Sequence, residues 1–215
     1  LYMDRGYIYS QIEPLVTPVG EDSLDIHFRI SENHKVFVRN IMIGGNTKTR
    51  ENVIRRELRI FPGDVFSREK LMRSQQAVWM LNYFSNVVPD VVQVDEAQVD
   101  LDLVVEEKSA DRANANIGFT GEYGMTGGGG LEFNNFRGLG QRLIFSFNTG
   151  TNYSIYTTNT PSKYQSVSFS FTDPMVYDTP NLLGFSIYYS FRGASTNYYF
   201  PLDFTVKGGS LTWGR

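Results

Sequence analysis

Residues 113–123 read Ala-Asn-Ala-Asn-Ile-Gly-Phe-Thr-Gly-Glu-Tyr and alternate without a break. Ala113, Ala115, Ile117, Phe119, Gly121 and Tyr123 share one parity; Asn114, Asn116, Gly118, Thr120 and Glu122 share the other. A helix has no use for a period of two, whereas a β-strand with one apolar and one polar face uses it at every step. The stretch also matches the length of a strand tilted across a bilayer, about 9–11 residues. The pattern recurs downstream. Leu131 and Phe133 interleave with Glu132 and Asn134, and Leu143, Phe145 and Phe147 with Arg142, Ser146 and Asn148. Val167, Phe169 and Phe171 then interleave with Ser166, Ser168, Ser170 and Thr172, and Leu183, Phe185, Ile187, Tyr189 and Phe191 with Gly184, Ser186, Tyr188 and Ser190. Residues 205–213 are a sixth and weaker strand, because Lys207 falls in phase with Leu211 and Trp213. The polar parity is mostly Ser, Thr, Asn and Gly, too hydrophilic for a dry core. That favours a lumen-forming wall over a soluble β-sandwich.

Composition changes at the same point. Of the charged residues, 32 lie in positions 1–112 and 11 in the remaining 103, while 21 of the 31 aromatic residues and 15 of the 20 glycines lie in the second part. The formal charge of −3 averages two unlike halves and argues against bulk nucleic-acid binding. There is no cysteine, hence no disulfide and no thiolate metal site. No run of about eighteen apolar residues occurs, so no spanning helix is expected.

The charged part reads as a soluble α+β unit. Residues 1–5 suggest a helix end stopped by Gly6, residues 7–16 a strand with Ile8, Ile12 and Val16 on one face, and Leu24, Ile26, Phe28 and Ile30 a second strand. A helix end and a hairpin are too little for a core. Residues 36–43 form the next strand, broken at Gly44-Gly45-Asn46. Thr47 or Thr49 then caps a helix that turns Val53, Ile54 and Leu58 inward and Arg55, Arg56, Glu57 and Arg59 largely outward. Ser67 caps a second helix with a stripe of Leu71, Met72, Val78 and Trp79. Residues 87–94 are a strand, and Val99, Leu101, Leu103 and Val105 alternate with Asp100, Asp102 and Glu106 in another. The order is β-α-α-β-β. Its last part echoes residues 1–31, which suggests an internal repeat with a truncated first copy.

Catalytic signals are weak. His27 and His34, seven residues apart, could at most begin a metal site, and no histidine follows residue 34 to serve a Ser-His centre. Gly127–Gly130 lacks a following Gly-Lys-Ser/Thr and precedes a strand, so it permits bending or close packing rather than holding phosphate. Asn152-Tyr-Ser154 fits the glycosylation pattern as chance would. No cofactor, metal or enzyme activity is expected.

In this order the motifs resemble a family, the BamA-type outer-membrane assembly proteins, built from tandem periplasmic POTRA domains and a transmembrane β-barrel. Residues 36–46, ending Ile-Gly-Gly-Asn, are similar to the first POTRA strand and its turn; residues 49–58 (Thr-Arg-Glu-Asn-Val-Ile-Arg-Arg-Glu-Leu) to the first helix of the barrel-proximal POTRA domain. Residues 128–140 resemble the second barrel strand and its turn, and Phe171-Thr-Asp-Pro174 the turn after strand four. The resemblance implies that residues 1–31 end one POTRA domain, 35–107 form a complete barrel-proximal one, and 113–215 are the first six or so strands of an antiparallel transmembrane barrel. Six strands cannot close a bacterial barrel, which needs at least about eight, so the chain is expected to be incomplete at its C-terminus or to be supplied with strands by another chain.

The resemblance further implies location in the bacterial outer membrane with the POTRA domains in the periplasm, and assembly of β-barrel proteins by strand templating at a seam. Ala113, Asn114, Ala115, Asn116, Ile117, Gly118 and Phe119 would be the edge on which unfolded outer-membrane clients form strands. Arg55, Arg56, Glu57 and Arg59 would dock an accessory periplasmic lipoprotein. The expected partners are thus the outer-membrane bilayer, accessory lipoproteins and unfolded clients, with no nucleic acid. Glycine at 118, 121 and 124 and alanine at 113 and 115 offer a reason for a weak seam, since they give little cross-strand packing. The alternatives are a polypeptide-secreting or importing barrel of the same superfamily and, against the presence of a docking arm, a passive porin.

Overall fold

The computed structural model describes residues 2–20, 22–120, 124–152, 162–194 and 202–215. Two compact units emerge: Leu1–Thr47 with Ile54–Lys108, and Lys48–Val53 with Ser109–Arg215.

The first unit opens with a 3-10 turn, Met3–Arg5, closed by Gly6 at φ +90°. β1 (Gln11–Val19) and β2 (Ser23–Ser31) form an antiparallel hairpin. The alternation from Tyr7 misplaces the start of β1, because Ser10 N–H closes a turn onto Tyr7 O at 3.3 Å. Every residue of the hairpin is exposed, so it adds nothing to a core.

The core lies in the next elements: β3 (Phe37–Gly44), α1 (Glu51–Arg55), α2 (Arg68–Met80), β4 (Phe84–Gln93) and β5 (Gln98–Glu107). The sheet order is β3-β5-β4, with β3 parallel and β4 antiparallel to the central β5. Alternation on β5 sends Val99, Leu101, Leu103 and Val105 to one face, where all are buried with Ile54, Val78 and Phe84. Gly45 is obligatory: at φ +88°, a Cβ there would lie 1.9 Å from the carbonyl oxygen of Val105.

α2 starts where its cap predicts. Ser67 Oγ accepts the backbone N–H of Lys70 at 3.3 Å, satisfying one of the donors a helix start leaves open. Its expected stripe needs correction. Leu71, Ser74 and Val78 are buried, but Met72 and Trp79 are 47% and 58% exposed. The helix rests on a single sheet, and no second layer covers its outer side among the described residues. α1 departs further. It begins at Glu51 rather than directly after Thr47 or Thr49, and ends at Arg55, before Leu58. Thr47 instead donates its hydroxyl to Glu107 at 2.6 Å.

The second unit is a six-stranded antiparallel sheet in sequence order: β6 (Arg112–Thr120), β7 (Gly124–Phe136), β8 (Gln141–Asn152), β9 (Ser162–Asp173), β10 (Leu182–Arg192) and β11 (Phe204–Gly214). The expected strand over 113–123 is seen to Thr120; residues 121–123 lie outside the described residues, as do 153 and 154 of the Asn-Tyr-Ser pattern. Packing is dense through the middle of the sheet. Phe171 and Phe169 stand 5.6 and 5.8 Å from Phe185, ring centre to ring centre. On the opposite face Ser146 and Ser168 meet at 2.6 Å and Ser186 and Ser210 at 2.8 Å.

At one end of the sheet the turn between β7 and β8 grips Lys48–Val53. Asn135, 3% exposed, donates from Nδ2 to Thr49 Oγ1 at 2.8 Å, and its Oδ1 accepts Gly140 N–H at 2.8 Å. Arg50 N–H donates to Gly138 O at 2.9 Å. From the turn between β9 and β10, the Asp178 carboxylate accepts both contacts of the Asn52 amide at 2.8 and 2.9 Å. Engagement of Thr49 and Arg50 by the first of these turns accounts for the start of α1 at Glu51.

Residues 33–109 expressed alone should give a cooperative melt by circular dichroism. Ser67→Ala should lower its stability by about 1 kcal/mol, about 4–8 °C in Tm for a domain of this size.

Candidate functional site

β6 is the first strand of the sheet and pairs with β7 alone; among the described residues no strand occupies its other edge. Ala113, Ala115, Ile117 and Phe119 take one face and Asn114, Asn116 and Gly118 the other, so the seven residues expected to form a strand-accepting edge do lie together on one edge strand. All are exposed, Ile117 and Phe119 to 85% and 79%. An edge strand presents a row of N–H and C=O groups to any extended chain.

The register shows what the sequence left unread. Asn114, Ala115, Asn116 and Ile117 stand opposite Gly130, Gly129, Gly128 and Gly127. Four successive cross-strand pairs therefore lack a side chain on one side. Such pairs are the unit of sheet stabilisation, worth roughly 0.2–1 kcal/mol each. The middle of β6 is held to β7 chiefly by its backbone. The small residues expected to weaken the seam were Gly118, Gly121, Gly124, Ala113 and Ala115; the run that thins the pairing of β6 with β7 is Gly127–Gly130 on β7.

Gly128 has a second role. It lies between Asn116 on β6 and Asn148 on β8, in register with both. A Cβ there would stand 2.2 Å from Asn148 Oδ1, 2.9 Å from Asn116 Oδ1 and 2.7 Å from the backbone oxygen of Phe147. The two amides thus close over a bare backbone. Below this window β6 is tied down: Asn134 donates from Nδ2 to Ala110 O at 2.7 Å and from its backbone to Asp111 Oδ1 at 3.3 Å.

The second expected site is more dispersed than a single helix face. Arg55 ends α1 and donates to Ile41 O at 3.2 Å. The Arg56 side chain is 9% exposed and lies 3.9 Å from the Glu57 carboxylate, itself 21% exposed, so the expectation that it points outward is corrected. Arg59 is exposed. Among the described residues no group of three or more metal-ligating side chains is gathered, and no helix is long and apolar enough to cross a membrane, which says nothing of strands.

The β-α-α-β-β domain is a POTRA domain by sequence: residues 36–108 match the family described as POTRA, surface antigen variable number repeat. The chain is related to the BamA-type outer-membrane assembly factors. It is 31% identical over 198 residues to the outer membrane protein assembly factor BamA of Neisseria meningitidis, covering 89% of this chain and 24% of that protein. With its counterpart in Nitratidesulfovibrio vulgaris it shares 30% over 191 residues, covering 88% and 23%. The chain spans about a quarter of the length of these relatives. The fold is shared with BamA from Haemophilus ducreyi lacking POTRA domains 1–3, with a TM-score of 0.62 and 15% identity over 98% of this chain and 49% of that one. CdiB from Escherichia coli gives a TM-score of 0.52 at 16% identity over 99% and 37%.

Gly127 and Gly128 should differ sharply. A Cβ at Gly127 meets nothing closer than 3.6 Å. Gly127→Ala should leave the urea unfolding midpoint nearly unchanged, whereas Gly128→Ala should cost about 1–3 kcal/mol as an overpacked site.

Proposed function

We propose that the six-stranded sheet is the opening part of an outer-membrane β-barrel, that residues 36–108 lie in the periplasm, and that the protein assembles and inserts β-barrel proteins by offering β6 as a template. The observation that carries this reading is the glycine-faced edge strand. Large apolar side chains remain exposed along one parity of the sheet, among them Phe145, Phe147, Phe185, Ile187, Leu211 and Trp213, as a lipid-facing surface requires. In lipid an open edge costs several kcal/mol for each unpaired group, so β6 must be covered by the barrel's own last strand or by a client. Backbone pairing gives affinity with little regard for the client's side chains. A strand with few side-chain ties to β7 can tilt toward either partner.

Single cysteines at Asn114, Asn116 and Gly118 of the full-length protein, combined with cysteines along the last strand of a stalled client barrel, test this. Disulfides should follow one antiparallel register, and locking β6 to the protein's own last strand should arrest growth. Unimpaired growth of the locked protein refutes templating.

The reading also assigns Arg55, Arg56, Glu57 and Arg59 to docking of an accessory lipoprotein. Arg59 is the exposed member, and Glu57 is more accessible than Arg56. Arg59→Glu with Glu57→Lys should reduce co-purification of that lipoprotein at least tenfold while the folded barrel survives, since surface changes rarely exceed about 0.5 kcal/mol. Undiminished co-purification removes these residues from the interface.

A further inference from the structure

The three-stranded sheet β3-β5-β4 has its helices on one face; the other face has no covering layer among the described residues. The register fixes what it presents. Met42, Asp102 and Asp90 form one row across the three strands, and Gly44, Val104 and Val88 the next. On the other side Asn40, Asp100 and Val92 form a third. Met42, Val88, Val92 and Val104 are 47%, 47%, 41% and 54% exposed, an apolar quartet around a central pair of carboxylates.

That pair is electrostatically incomplete. Asp90 and Asp102 are direct cross-strand neighbours, a position where like charges are destabilising. Asp102 Oδ1 is buried and has no hydrogen-bond partner. Asp90 Oδ1 takes the backbone N–H of its neighbour Val91 at 2.8 Å. The nearby cation on this face is already committed: Arg39 Nε donates to Asp100 Oδ1 at 2.9 Å, and the guanidinium holds that carboxyl below the usual carboxylate range. Neither Asp90 nor Asp102 has a cationic partner among the described residues. A buried, unsatisfied carboxylate oxygen beside a second carboxylate is the kind of arrangement that removal of one partner leaves behind.

We propose that this open sheet face docks a cationic amphipathic helix of a periplasmic partner protein, with a Lys or Arg placed between Asp90 and Asp102 and aliphatic residues over Met42, Val88 and Val104. A helix laid on a sheet is the ordinary way of covering such a face. Its side chains at i, i+3 and i+4 put one cation between two apolar neighbours, which is the order of the exposed groups here. A second copy of the chain fits poorly, because isologous contact would set carboxylates against carboxylates. An anionic lipid surface would be repelled for the same reason. This surface is distinct from the Arg55–Arg59 segment and does not depend on the templating reading.

The test is site-specific photo-crosslinking in the full-length protein in cells, with p-benzoylphenylalanine at position 104 and adducts mapped by mass spectrometry. The expected adduct is a partner helix carrying Lys or Arg beside aliphatic residues. Asp90→Asn and Asp102→Asn should each cut its yield at least tenfold while leaving folded protein at the normal level. Asp90→Lys, which supplies the cation from within, should abolish it. Because Asp90 is exposed, its variants keep the test valid even if Asp102→Asn disturbs the sheet. The proposal is overturned by an adduct indifferent to these changes, by an adduct to lipid, to a second copy or to a segment without basic residues, or by no adduct at all.

Discussion

Backbone hydrogen bonds hold β6 to β7 across four successive positions where β7 supplies no side chain. The rest of the second unit gains meaning from that. Farther along the sheet, strands are locked by ring against ring and hydroxyl against hydroxyl. Stiffness therefore rises from β6 toward β9 and β10. The Asn116 and Asn148 amides over Gly128 replace packing with polar groups that do not fill space as a side chain on β7 would. Strand β6 is thus defined in register yet weakly committed to its neighbour, and its foot stays fixed by Asn134.

Much of this was legible. Period-two alternation located all six strands of the large sheet, including β11 in spite of Lys207, because an alternating strand states its own geometry residue by residue. Lys207 turns out to stand over the ring of Tyr189, 5.7 Å from its centre, which gives its charge a neighbour on that face. Partnership is a different quantity. Which residue faces which depends on two strands at once, so the glycine run was readable as permissive but not as the neighbour of β6. Helical apolar stripes misled for a related reason. Met72 and Trp79 are apolar at helical spacing, but burial needs something to be buried against, and a two-layer domain covers only one side of α2. Arg56 errs the other way: a long basic side chain after a helix end was expected outside and lies nearly buried beside Glu57.

The small domain shows how a short chain reaches stability. One sheet and two helices enclose a single cluster, with β5 contributing an unbroken apolar parity at its centre. The same strand carries aspartates on its other parity. One strand therefore serves two chemistries, set apart by the pleat alone.

The grip on residues 48–53 bears on when the molecule can be finished. Thr49 meets a partner 86 positions later in the chain, and Asn52 one 126 positions later. Contacts of such separation carry a loop-closure cost that local ones do not. The core around β3, β4 and β5 draws on residues that have all emerged by Lys108, whereas the start of α1 waits for the turns at Asn135 and Asp178. Synthesis from the N-terminus thus leaves a gap in time: a domain complete but for one segment, whose last turn of structure is set only when the strands arrive.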